Sequence, residues 1–253
     1  METNRKHLLK SWAFVIFFCG FVLLWMIVIS LGGLRRRDYT PIIAVAGSIV
    51  VAVTISVWSR RKGLLLFREP SPDHAIAYYH SCAKRAPNWR TLALAAFQSA
   101  YAAALYGQFD RAREELASVR WTTLPPMYEG FEVYIHSLLA LFEAKDYSKA
   151  LRLAQEARDL CDASEKFPGV KKSRAALDAN VAVCELLVGK NDSEVLGRLD
   201  RASKELPGVS AAIPAWALAN YQTKLGQEVE AEKSLAIVKR LLPHCTILHD
   251  PHM

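Results

Sequence analysis

The chain runs to 253 residues, of which 52% are hydrophobic, with a formal net charge of +7. The excess charge sits at the front: residues 1–63 hold nine Lys or Arg against two acidic residues, and the remainder holds 23 of each. A basic nucleic-acid-binding domain is thereby excluded for residues 64–253, and the positive charge reads as a topology signal.

Two apolar runs open the chain. Trp12 to Leu31 ("WAFVIFFCGFVLLWMIVISL") and Pro41 to Trp58 ("PIIAVAGSIVVAVTISVW") contain no charged residue. At about 1.5 Å of rise per residue, roughly 20 residues cross a hydrocarbon core of about 30 Å. Basic clusters bracket the runs: Arg5, Lys6 and Lys10, then Arg35 to Arg37, then Arg60, Arg61 and Lys62. Trp12 and Trp58 stand near the outer ends, where interfacial aromatic residues belong. Buried core helices that are apolar on every face are uncommon. A cleaved signal peptide would show a shorter apolar stretch and a small-residue cleavage site. The expectation is a retained transmembrane hairpin. The side holding both ends carries seven basic residues, Arg68 included, against three in the connecting loop. That balance places residues 64–253 in the cytoplasm, with a bacterial inner membrane as the simplest setting. Of five cysteines, Cys19 lies in the first run; Cys82, Cys161, Cys184 and Cys245 are scattered without a CxxC pair and read as buried, reduced thiols.

"FREPSPD" (Phe67 to Asp73) reads as a short linker, with Asp73 as a helix cap. Beyond it, Ala, Leu and aromatic residues recur at helical spacing and no strand-like alternation appears, so the domain is predicted all-helical. A phrase recurs within it: "GQFDRA" at Gly107, "AKDYSKA" at Ala144 and "GQEVEA" at Gly226. Aligning these turns, with a further one at Gly189, puts Gly107, Lys145, Gly189 and Gly226 in equivalent places. The same apolar ladder follows each: Ala112 and Leu116; Ala150, Ala154 and Ala157; Val195, Leu199 and Ala202; Ala231, Leu235 and Val238. A half-unit with Ala75, Tyr79 and Cys82 precedes them. Steps of three and four residues put each ladder on one helical face. Pro87, Pro207 and Pro243 close their units, since proline cannot continue a helix. Each unit is predicted to be a helix, a tight turn and a second helix. Ala100, Ala182 and Ala219, seven residues before their turns, mark close helix contact, whereas Leu138 in the same place predicts looser packing.

The Gly-x-aromatic-x-x-Ala turn at Gly107, Phe109 and Ala112, its relatives at Tyr147 with Ala150 and at Gly226 with Ala231, and the closing prolines resemble the tetratricopeptide repeat family. The resemblance covers residues 73–243. The unit intervals of 38, 44 and 37 residues exceed the usual 34, and Asn191 and Glu228 replace the turn aromatic in the last two units. A related helical-hairpin solenoid would fit the same pattern. The organisation expected is a transmembrane hairpin at 1–63, a linker at 64–72, a repeat domain at 73–243 with Val229 to Leu242 as its closing helix, and a tail at 244–253.

No phosphate loop, dinucleotide fingerprint, HExxH or nucleophile elbow appears, so no enzyme, cofactor or metal site is expected. The acidic residues alternate with Lys and Arg on solvated helix faces. His244, Cys245, His249, Asp250 and His252 are metal-ligand types, but their spacing fits no standard site and they follow the last proline; they read as an unstructured tail. Cys184 lacks an identifiable base. The resemblance implies that the first helix of each unit lines an inner groove. Its lining would be Phe97, Tyr101 and Leu105, then Ile135, Leu139 and Phe142, then Val183 and Leu186, then Trp216 and Asn220. Either these residues form an exposed apolar groove for a protein partner, or they pack between neighbouring helices. The two functions that follow are a membrane-tethered adaptor working through that groove, and a structural subunit of a membrane complex working through its hairpin, where Gly20, Gly47 and Ser48 permit close helix contact.

Overall fold

The computed structural model describes residue 47, residues 65–164 and residues 170–249. The runs at 12–31 and 41–58 lie outside the described residues, Gly47 excepted. Among the described residues no helix is long and apolar enough to cross a membrane. The chain divides into two units, Met1–Lys62 and Gly63–Met253, and the second is the helical body.

Among the described residues the body is all-helical, with no strand. In chain order the helices are α1 (Asp73–Arg85), α2 (Trp89–Leu105), α3 (Phe109–Ala117), α4 (Pro126–Phe142), α5 (Tyr147–Asp162), α6 (Val170–Leu187), α7 (Ser193–Glu205), α8 (Ala212–Lys224) and α9 (Glu228–Leu241). Short 3-10 turns at Trp121–Thr123, Gly208–Ala211 and Thr246–Leu248 punctuate them. The pairs α2–α3, α4–α5, α6–α7 and α8–α9 are antiparallel hairpins, and α1 packs on α2 as a leading half-hairpin. Successive hairpins stack α2 on α4, then α5 on α6 with a slighter α4–α6 contact, and then both α6 and α7 on α8. This is the arrangement in which units unable to bury an apolar face alone bury it against a neighbour.

The recurring phrase is the reversal in each hairpin. Gly107, Lys145, Gly189 and Gly226 all have positive φ, between 52° and 99°. At Gly107 the amide donates to the Ala104 carbonyl and the next amide, Gln108, to that of Ala103. Gly189 and Gly226 repeat the pattern, the glycine C-cap that satisfies the last carbonyls of a helix. Lys145 stands in the glycine's place. The turn there is wider, and Asp146 reaches back to Ala140. Asn88, Asp146 and Asp192 cap the helices that follow them, each accepting a backbone N–H three residues on. Asp73 is not the cap expected of it. It is the first helical residue, and the Ser71 hydroxyl receives its N–H instead, because Pro72 already holds the chain in a helical turn.

The ladder residues face inward as expected. Ala112, Ala150, Ala154, Ala157, Val195, Leu199, Ala231 and Val238 are all buried, and so are Ala100, Leu138, Ala182 and Ala219 before the turns. The looser packing expected at Leu138 is overturned: α4 and α5 form the most extensively packed hairpin of the body. Gly130 explains this. A Cβ built there would stand 3.0 Å from the Ala157 carbonyl oxygen and 3.3 Å from the Leu160 Cβ, so the missing side chain sets the helix separation. Ion pairs lie outside this core. Arg111 on α3 meets Asp73 on α1, and Arg198 on α7 holds Glu185 on α6 at 2.8 Å.

Candidate binding groove

The inner faces of α2, α4 and α8 carry the candidate residues. Tyr101, Leu105, Ile135, Leu139, Phe142, Trp216 and Asn220 are all buried, as are Val183 and Leu186 on α6. Phe97 is half-buried. Of the two alternatives left open by the sequence, the second describes this structure: these side chains pack against one another. The Phe142 and Trp216 rings meet edge to face at 5.3 Å, joining α4 to α8 across an intervening hairpin. Phe97 stacks on Phe131 at 4.6 Å and lies 6.2 Å from Tyr101, which in turn stacks on Tyr134 at 6.1 Å. Such pairs add about 0.5–1.5 kcal/mol each to plain burial. Ring contacts continue through Tyr128 to Trp89, whose side chain is 42% exposed and bears the Arg90 guanidinium over its face. Tyr128, Phe131 and Trp89 were not singled out in the sequence. The first two lie on the same stripe of α4 as Ile135 and Phe142, so helical spacing could have found them.

The end of the chain packs into this same core, beside Tyr101 of α2 and against α8. Residues 244–249 are not an unstructured tail. Pro243 stops α9, the chain turns back, and Thr246–Leu248 forms a 3-10 turn against α8. Cys245 and Leu248 are 0% exposed and belong to the main core. The Ile247 methyl reaches 3.4 Å from the Cβ position of Gly107, the first repeated turn. His249 closes the segment with its Nε2 2.8 Å from the Leu242 carbonyl. Asp250 and His252 lie outside the described residues. Among the described residues no cluster of three or more His, Cys, Asp or Glu could hold a metal. Burial of Cys245 and Leu248 favours this fold-back, a fully buried leucine side chain contributing about 1.5–3 kcal/mol.

The front of the body meets the same place. Phe67, expected in a free linker, is buried and stacks on Tyr106. The Tyr106 hydroxyl sits 2.7 Å from the Glu69 carbonyl and 3.1 Å from that of Phe67. Burial, then the neighbouring Cys245 thiol and Glu69, hold the Tyr106 phenol above its ordinary range. Burial and then the Tyr134 phenol raise Tyr101 well above its own, with Cys245 a further neighbour. The Tyr101 hydroxyl lies beside Tyr134 without reaching hydrogen-bond geometry. The Cys245 thiol is pushed up to about 12 by burial, and Cys184 to about 12 by burial against the opposing Ser137 contact. A thiol held protonated at neutral pH is a poor nucleophile. The chain matches no known family model, no curated protein and no solved structure.

Proposed function

We propose that this chain is a membrane-anchored, tetratricopeptide-like adaptor that binds a protein partner through the inner face of its hairpins. The observation that supports this is the occupant of that face. The segment Cys245–Leu248, with Cys245 and Leu248 fully buried, already lies against α8, beside Tyr101 of α2 and the Gly107 turn, so this face accommodates a short chain segment with apolar anchors. The apolar runs at 12–31 and 41–58 serve as a two-span anchor in this reading, holding the body on the cytoplasmic side of a bacterial inner membrane. Residues 64–253 carry no net charge to draw nucleic acid. Catalysis has no part in the reading, and neither does a cofactor or metal.

The alternative is a structural subunit working through its hairpin, and the burial of the groove favours it over an adaptor with an always-open surface. An anchor exchange separates the two. Residues 1–62 are replaced by an unrelated two-span anchor, and partners are co-purified from native membranes in mild detergent. An adaptor keeps its partner through the exchange. A partner lost with the native hairpin moves the function into the bilayer.

A further inference from the structure

The same face has two properties that an open groove lacks. Its apolar side chains are already buried, and beside Tyr101 and α8 the cover includes contiguous chain that only a proline-terminated reversal connects to α9. Cys245 and Leu248 are the buried anchors, and Ile247 reaches the Gly107 turn. One short segment therefore touches both the last hairpin and the first full one. Every side chain it inserts is apolar or a neutral thiol, and of its polar members His244 and Thr246 are exposed and His249 is half-buried.

We infer that Pro243–His249 is a resident internal ligand, and that the adaptor's partner is a protein bearing a short apolar segment of the same type, which enters as this one leaves. The partner chemistry follows from the occupant. Two aliphatic or thiol anchors are spaced three residues apart, as Cys245 and Leu248 are, with a compact turn between them and no charge at the anchors. A charged anchor does not fit, because Cys245 and Leu248 are fully buried and the Tyr101 and Tyr106 phenols beside Cys245 offer no ion-pair partner. The inference rests on the adaptor reading and adds to it how the groove is gated and what it recognises.

The test uses the full chain in mild detergent and a labelled peptide, PHSTILH, in which serine replaces the Cys245 thiol. The first readout needs no mutation. Cys245 is alkylated by a maleimide with and without peptide, and Cys184, buried on α6, serves as the internal reference. Peptide is expected to speed Cys245 modification at least fivefold and to leave Cys184 unchanged. An unchanged Cys245 rate, or an equal rise at Cys184, overturns the inference. The second readout is peptide affinity for Leu248→Asp, with retained helicity checked by circular dichroism. Binding is expected to tighten at least tenfold relative to the native chain, and a peptide carrying aspartate at the leucine position is expected to bind neither. Equal affinity for both chains overturns competition for one site. Peptide capture with no native partner in the anchor-exchange experiment would sink the adaptor and keep the internal ligand; a groove-dependent partner with no peptide effect would do the reverse.

Discussion

Lys145 gives the sharpest test of the repeat geometry. It is the only non-glycine among the described residues with positive φ, at 52°, and it occupies the place held by Gly107, Gly189 and Gly226. A left-handed conformation costs an L-residue about 1–2 kcal/mol. Glycine removes that cost but adds about 0.4–1 kcal/mol of backbone entropy lost on folding. Lys145→Gly is therefore expected to stabilise the chain by about 0.5–1 kcal/mol. The reverse change is cleanest at Gly189 and Gly226. Nothing lies within 4 Å of the Cβ position at either, so Gly226→Ala carries the conformational term alone and is expected to cost about 0.5–1.5 kcal/mol. The assay is thermal or urea unfolding followed by helical circular dichroism on the full chain in detergent. A destabilised Lys145→Gly chain beside a destabilised Gly226→Ala chain would refute the equivalence of the turns. It would mean that the Lys145 side chain contributes more than its backbone strain removes.

Gly130→Ala is a steric case. With backbone and a Cβ atom 3.0–3.3 Å away, α4 and α5 must separate, at a cost of about 1–3 kcal/mol in the same unfolding assay. Asn180 on α6 donates to the Ser137 hydroxyl at 2.9 Å, and Ser137 donates to the Ala150 carbonyl at 3.1 Å. Ser137→Ala is expected to cost about 1–3 kcal/mol by stranding the Asn180 amide, and adding Asn180→Leu to recover much of it; a double-mutant cycle checks this. Stability is also expected to fall as pH rises from 9 towards 12. Cys184 and Cys245 have folded values near 12 against 9.0 ordinarily. Above pH 9 the unfolded thiols ionise while the folded ones stay protonated, so unfolding releases protons and is favoured by alkali. Each thiol costs at most about 1.4 kcal/mol per pH unit in that window. Replacing both with Ala is expected to reduce the slope of urea midpoint against pH between about 9 and 10, while above about pH 10 the buried Tyr101 and Tyr106 phenols keep it falling.

The hairpins were legible because their signals are local. A glycine turn, a three-and-four ladder and a closing proline each act within a dozen residues, and the equivalence of Lys145 to three glycines could be read from spacing alone. The looser packing read from Leu138 failed because one position was asked to report a whole helix contact. Gly130, more than two turns earlier, decides the separation. The groove failed differently. Sequence places Tyr101, Ile135 and Trp216 on one face, but whether that face is open depends on what lies across it. At Tyr101 that partner includes Cys245–Leu248, over 100 residues away. The segment is too short for periodicity and follows a proline, so nothing in its own pattern marks it as core. Phe67 was misjudged for the same reason: its burial depends on Tyr106, the C-cap of the second helix.

A closed groove and the membrane anchor proposed above make sense together through concentration. An internal segment on a short connection competes at an effective concentration on the order of millimolar. A free apolar peptide at micromolar concentration is then outcompeted about a thousandfold, so the closed state protects the inner face from chance hydrophobic contacts. A partner fixed in the same membrane is not so handicapped, because confinement raises its local concentration towards the same range. The internal ligand would thus select partners by place as well as by sequence. On this argument, PHSTILH in solution displaces the native segment only near millimolar concentration. The same peptide carried on a lipid in the chain's own vesicles displaces it at far lower total amounts, read again by Cys245 alkylation. Equal potency of the free and lipid-linked peptides would remove the link between the anchor and the gate.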